Sequence, residues 1–246
     1  MKGADNSAEN HKENLYANVV FRWRMQGGEG IMKALVVYWS KTKNTEKVAH
    51  AVKDGLLASG MDVVFKRTEE AADEDFFDYD FVCVGFPTYQ WLPPEPAKDF
   101  FMKKLAEYRE QGRVKLGAPK VPGKNALICC TYSGPHTGVN EAIPAGKYVG
   151  QLFEHIGFTV LDEWYILGEF HGSEARSTRG KLGDIKGRPN EEDLQKVREE
   201  VVRLVKDLQT PVSHPFQKES AALKRILREH GPLIHSRSKA KAVNEQ

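Results

Sequence analysis

From Met32 onward, short apolar runs alternate with longer stretches in which apolar residues recur every three or four positions. Lys33 to Trp39 is rich in β-branched and aromatic residues without period-two alternation, as expected of a strand buried on both faces. Residues 45–59 then place Val48, Ala49, Val52 and Leu56 on one side and Lys47, Lys53 and Asp54 on the other. That is an amphipathic helix, and Gly60 stops it. The same reading predicts strands at 62–67, 81–85, 125–131 and 158–167. It predicts helices from Pro93-Pro94 to about Gln111, from the far side of Pro144 (which interrupts it) to His155, and over 191–208. Strand and helix alternating in this way imply an α/β fold: a parallel sheet with helices on both faces, joined by right-handed crossovers. Five strands favour the order 2-1-3-4-5, with ligands at the carboxyl ends of strands one, three and four.

Those ends carry the candidate chemistry. After strand one comes Ser40-Lys41-Thr42-Lys43-Asn44-Thr45, a hydroxyl-rich turn running into a helix N-terminus. The first amides of a helix lack intrahelical acceptors and its dipole adds partial positive charge, so this is an anion site suited to a phosphomonoester. Helix capping by Asn44 is the plain alternative, but capping needs one such residue rather than four. After strand three come Pro87, Thr88, Tyr89, Gln90 and Trp91, and after strand four Thr131, Tyr132, Ser133, Gly134, His136 and Gly138. An anion site beside two large aromatics suits a ligand with a phosphate at one end and a planar ring at the other. His136 has two readings, a solvated loop histidine or a proton donor over the edge of the bound ring.

Composition narrows the picture. The chain has 246 residues and a net charge of +2, so no overall polyanion-binding field is implied. Cys83, Cys129 and Cys130 are too few and wrongly spaced for a disulfide framework or a zinc site, and neighbours such as Cys129 and Cys130 in a strand point to opposite faces. There is no membrane span and no secretory signal, which favours a cytoplasmic protein. Three regions are expected: an N-terminal extension over 1–31, partly disordered; an α/β domain over 32–209; and a basic extension over 210–246, with seven Lys/Arg against three Glu. Within the last, residues 219–230 have the spacing of a short amphipathic helix. It is free to fold back on the domain, bind a second subunit in a homodimer, or meet a redox partner. No aromatics interleave its charges, so nucleic acid is not expected to bind there. Gly168 to Pro189 is long for a connection and rich in Gly, Ser and basic residues, including His171, Arg176, Arg179, Lys181, Lys186 and Arg188. It reads either as a solvated loop or as a lid that would meet an anionic partner, such as the phosphate of a pyridine nucleotide.

Over roughly residues 33–209 the chain resembles the flavodoxin superfamily. Ser40-Lys41-Thr42-Lys43-Asn44-Thr45 matches the family's Ser/Thr-x-Thr-Gly-Asn-Thr except at Lys43, and Gly85-Phe86-Pro87-Thr88-Tyr89 resembles its Gly-x-Pro-Thr-Tyr. The third loop is more similar to that of the flavodoxin-like quinone reductases. The resemblance implies a flavodoxin-like three-layer sandwich that binds FMN, with Tyr89 or Trp91 stacking on the isoalloxazine and Thr88 donating to its polar edge. It implies electron transfer with a protein partner, or reduction of a quinone-like acceptor by NAD(P)H. FMN is expected rather than FAD, because there is one compact phosphate loop and no Gly-x-Gly-x-x-Gly at a strand–helix junction. Lys43 lacks glycine's freedom at positive φ, so a different turn is expected there, with its ammonium near the phosphate. No glycine follows Tyr89, which speaks against one-electron shuttling. A signalling receiver of the same strand order would need an Asp at the end of strand three, where this chain has Val84-Gly85. The remaining alternative is a flavin-free interaction module that retains the fold.

Overall fold

The computed structural model describes residues 31–209, so the expectations for the N-terminal extension, the basic tail with its helix, and a second subunit bound there lie outside the described residues. Five parallel strands form one sheet in the order β2-β1-β3-β4-β5. They are β1 (Lys33–Tyr38), β2 (Asp62–Arg67), β3 (Phe81–Pro87), β4 (Asn125–Tyr132) and β5 (Thr159–Leu167). The helices are α1 (Asn44–Ala58), α2 (Glu95–Glu110), α3 (Ile143–His155), the short α4 (Glu174–Thr178) and α5 (Glu191–Gln209). Pro144 does not interrupt α3. It stands in the first turn, where a missing N–H costs nothing and a fixed φ favours the helix.

Alternate residues along each strand face opposite layers, and this splits the core in two. Leu35, Val37, Val82, Val84, Ile128 and Cys130 face Phe101 of α2 and Val149 and Phe153 of α3. Ala34, Val36, Cys83, Leu127 and Cys129 face Val48, Val52 and Leu56 of α1 and Val197, Val201 and Val205 of α5. Cys129 and Cys130 therefore lie in different layers. The Cys129 Sγ instead lies 3.7 Å from Cys83 Sγ. That neighbouring thiol and burial together push the Cys129 thiol up, and burial, with the Glu163 charge adding to it, does the same to Cys130. These are inert core groups.

Helices α1 and α5 pack closely because of Gly55. A Cβ there would stand 2.8 Å from the Val201 Cβ and 2.9 Å from the Arg198 carbonyl oxygen. A shallow hollow beside this seam is lined by Asp54, Gly55, Ala58, Gln195, Arg198, Glu199 and Val202. Among the described residues, no helix is long and apolar enough to cross a membrane, and no group of His, Cys, Asp and Glu is arranged to hold a metal ion.

Candidate functional site

The strand order puts β1, β3 and β4 side by side, so the segments leaving their carboxyl ends stand in a row: loop 1 (40–43), loop 2 (88–94) and loop 3 (133–137). The segment 168–190 after β5 closes the row.

Loop 1 forms one tight turn. Lys43 has φ 68° and ψ −2°, the left-handed region, and so keeps a glycine-like turn despite its side chain. The expectation of a different turn is not met: the helix start over-determines this backbone, and the strain of about 1–2 kcal/mol is held locally. No side chain caps α1, and the amides of residues 40–46 have no acceptor among the described residues. Asn44 sits inside α1, after the cap position. A run of free amides around a left-handed residue at a helix N-terminus has the donor arrangement of a nest suited to an anion.

The side chains of this motif divide into two groups. Ser40 is buried, whereas Lys41, Thr42 and Lys43 are exposed. Asn44 and Thr45 are engaged elsewhere in the protein. Asn44 Nδ2 donates to the Glu169 carbonyl (3.0 Å) and its Oδ1 faces His171 Nε2 at 3.4 Å. The Thr45 hydroxyl pairs with the Thr131 hydroxyl at 2.8 Å, both being buried. Gly85 permits this approach, since a Cβ there would lie 3.2 Å from Thr45 Cγ2. Thr45 and Thr131 thus fasten α1 to the sheet rather than offering free hydroxyls.

Arg67, at the carboxyl end of β2, holds loop 1 from outside. Its guanidinium donates to the Ser40 carbonyl (3.0 Å), faces Glu46 at 3.3 Å, and lies over the Tyr38 ring at 5.4 Å. Glu46 is the acidic residue of the first turn of α1, where an unmatched carboxylate would oppose a bound anion. Sequence reasoning missed Arg67 because only strands one, three and four were considered. In the predicted order β2 neighbours β1, and that adjacency was the available signal.

Loop 2 contains a two-residue hairpin. Tyr89 and Leu92 exchange backbone hydrogen bonds of 2.9 and 3.1 Å across Gln90 and Trp91, whose φ values are 49° and 69°. Both central residues are left-handed, as in a type I′ turn, which normally takes Asn-Gly. The hairpin turns Trp91 outward, 62% exposed, and leaves Tyr89 44% exposed. Tyr89 meets Trp39 edge-on at 6.1 Å, a third ring at the crevice that the sequence reading left inside the strand. Partial burial pushes the Tyr89 phenol up, so it stays neutral. Thr88 is tied to the neighbouring loop: its amide donates to the Thr131 carbonyl (2.9 Å) and its hydroxyl to that of Glu141 (3.2 Å). Pro87 ends β3.

Loop 3 closes on itself, the Gly138 amide donating to the Gly134 carbonyl at 3.0 Å. A Cβ on Gly134 would meet the Gly138 carbonyl oxygen at 2.4 Å, so only glycine fits. One oxygen of Glu141 accepts from the amides of His136 (2.7 Å) and Thr137 (2.6 Å). The His136 side chain is exposed, and Tyr132 and Ser133 are half-buried. Glu141 was not foreseen, because its role depends on the fold of the loop before it.

Segment 168–190 is not simply a solvated loop. It begins at Gly168, whose amide donates to the Tyr132 carbonyl (2.7 Å), and meets the first residue of α1, next to loop 1, through Asn44. The Lys181 amide donates to the Pro135 carbonyl of loop 3 at 2.9 Å. It therefore spans the crevice from the first loop to the third.

Comparison with known proteins agrees with this fold. The family model described as flavodoxin matches residues 36–200. A flavodoxin of Aquifex aeolicus is 28% identical over 196 residues, covering 70% of this chain and 98% of the relative. An NAD(P)H dehydrogenase (quinone) of Archaeoglobus fulgidus is 27% identical over 192 residues, covering 66% and 90%. Among solved structures, a flavodoxin from the domain Archaea superposes with a TM-score of 0.50 at 20% identity, over 73% of this chain and all of that one. That last similarity concerns the fold alone.

Proposed function

The chain belongs to the flavodoxin family, and from that premise we propose that it binds FMN at the crevice and acts as a redox protein. The observation that carries this reading is the nest of loop 1: amides 40–46 without acceptors among the described residues, around a left-handed Lys43, at the head of α1. The donor set suits a phosphate dianion. Backbone N–H groups would take its oxygens, the Ser40 and Thr42 hydroxyls would add donors, and Lys41 and Lys43 would add charge. Trp39, Tyr89 and Trp91 offer ring faces for the isoalloxazine, and loop 3 offers Ser133, Gly134, Gly138 and His136 along its edge. Thr45 and Thr131 position the turn.

When bound, FMN would supply the electron chemistry, and this chain would bind, orient and shield it. Of the two forms of that function, reduction of a quinone-like acceptor by NAD(P)H has a specific observation in its favour. The Gln90–Trp91 hairpin is closed by two backbone hydrogen bonds and lacks glycine, so its peptide is held in one orientation. A carrier exchanging electrons with a protein is the other form. The choice is read from NAD(P)H oxidation with and without a quinone, and from potentiometry.

Titration of apoprotein with FMN, FAD and riboflavin tests the cofactor. FMN should bind tightest and give a yellow complex. Riboflavin binding as tightly as FMN, or a colourless preparation in excess FMN, would refute the reading and leave a flavin-free interaction module.

A further inference from the structure

Charged side chains around the crevice are unequally engaged. On segment 168–190 the carboxylates are engaged: Glu174 with Lys186 at 2.6 Å, Glu169 with the Gly187 amide at 2.9 Å, and Asp184 with the Lys186 amide at 3.0 Å. Glu141 faces inward to the loop 3 amides and Glu46 faces Arg67. Lys186 and Arg188 are paired, with Glu174 and Asp193, but the other cations of the segment are not. Arg179 and Lys181 are exposed and have no ion pair among the described residues, and Arg176 rests on the Phe170 ring at 4.7 Å. Across the crevice Lys41 and Lys43 are equally exposed and unpaired among the described residues.

Apolar surface stands among these charges. Loop 2 lies between loops 1 and 3 because β3 lies between β1 and β4, and it carries Tyr89, Trp91 and Leu92 outward. Leu182, 39% exposed, joins from the far side, 3.6 Å from where a Cβ on Gly138 would stand. Exposed apolar side chains within a rim where unpaired cations outnumber the carboxylates have the anatomy of a protein interface rather than of bare solvated surface. With a net charge of only +2, the rim is a local arrangement and not a field of the whole chain.

We infer that this face docks an acidic protein, its carboxylates meeting Arg176, Arg179 and Lys181 and its apolar centre meeting Leu92 and Leu182. This names the partner class of the redox site proposed above and rests on that reading, but docking can be measured with or without flavin.

The probe is a plant-type [2Fe–2S] ferredoxin, an acidic protein, immobilised for surface plasmon resonance, with cytochrome c as a basic counter-probe and the full chain as analyte. The ferredoxin should bind, and cytochrome c should bind more weakly. The triple variant R176E/R179E/K181E leaves the loop 1 residues intact. It should raise the ferredoxin Kd about tenfold at low salt, with the difference vanishing near about 0.5 M salt. The neutralising variant R176Q/R179Q/K181Q should raise it about threefold, and thermal melting checks that both variants fold. No ferredoxin binding, a preference for cytochrome c, or an unchanged Kd in both variants would overturn the inference. An NADP+ affinity lowered by these variants while the ferredoxin Kd stays fixed would overturn it in favour of a dinucleotide. A preparation that binds no FMN but shows the expected ferredoxin behaviour would count against the proposed cofactor and not against the docking face.

Discussion

Replacing Lys43 by glycine separates two things that this residue does at once. Its backbone sits at φ 68°, where an L-residue costs about 1–2 kcal/mol, and its ammonium stands exposed in the turn that would hold a phosphate. Glycine removes the backbone cost but loses about 0.5–1 kcal/mol through its freer unfolded chain. Lys43→Gly should therefore stabilise the protein by about 0.5–1 kcal/mol, a rise in Tm of about 1–4 °C for a domain of this size. Lys43→Met, which keeps the strain and drops the charge, should melt close to the parent. Both variants should bind FMN about threefold more weakly at low salt, the value of one exposed charge pair, with riboflavin unaffected. Differential scanning calorimetry and flavin fluorescence titration give the two readouts. A Lys43→Gly protein that melts below Lys43→Met would refute the claim that strain is held at this position.

Thr45→Val should cost about 1–3 kcal/mol in urea unfolding, because it strands the buried Thr131 hydroxyl, and Thr45→Val/Thr131→Val should recover most of that loss. An additive double variant would show that the hydroxyl pair is not coupled. Arg67→Met removes the donor to the Ser40 carbonyl and unmasks Glu46 beside the proposed anion site, so FMN affinity should fall about tenfold and riboflavin affinity less. Equal losses for both ligands would contradict a role in positioning the phosphate turn. Glu74 accepts hydrogen bonds from Lys66 and then Tyr79, which hold its carboxyl below the ordinary 4.5. A depressed folded-state pKa stabilises above the unfolded value and loses that contribution as pH falls through the folded one. Glu74→Gln should accordingly lower stability at neutral pH and flatten its decline in acid, and a parallel decline in both proteins would argue against the linkage.

Most strands and helices followed from the sequence because they rest on local pattern, buried β-branched runs and amphipathic periods, and the sheet order and row of three loops followed from their alternation through the rules of parallel α/β topology. What the residues do once there depended on packing between distant segments. Asn44 and Thr45 belong to a motif that predicts anion contact, yet their side chains are taken by Glu169 and Thr131, more than eighty positions away. Arg67, Trp39 and Glu141 carried no local signal, since their relation to the crevice exists only through strand adjacency and loop closure. Lys43 shows the opposite limit: propensity argued against a left-handed turn, and the sheet and helix around it imposed one. Periodicity is written residue by residue and can be read there, whereas the engagement of a polar side chain is decided by whichever group the fold brings within 3 Å or so of it.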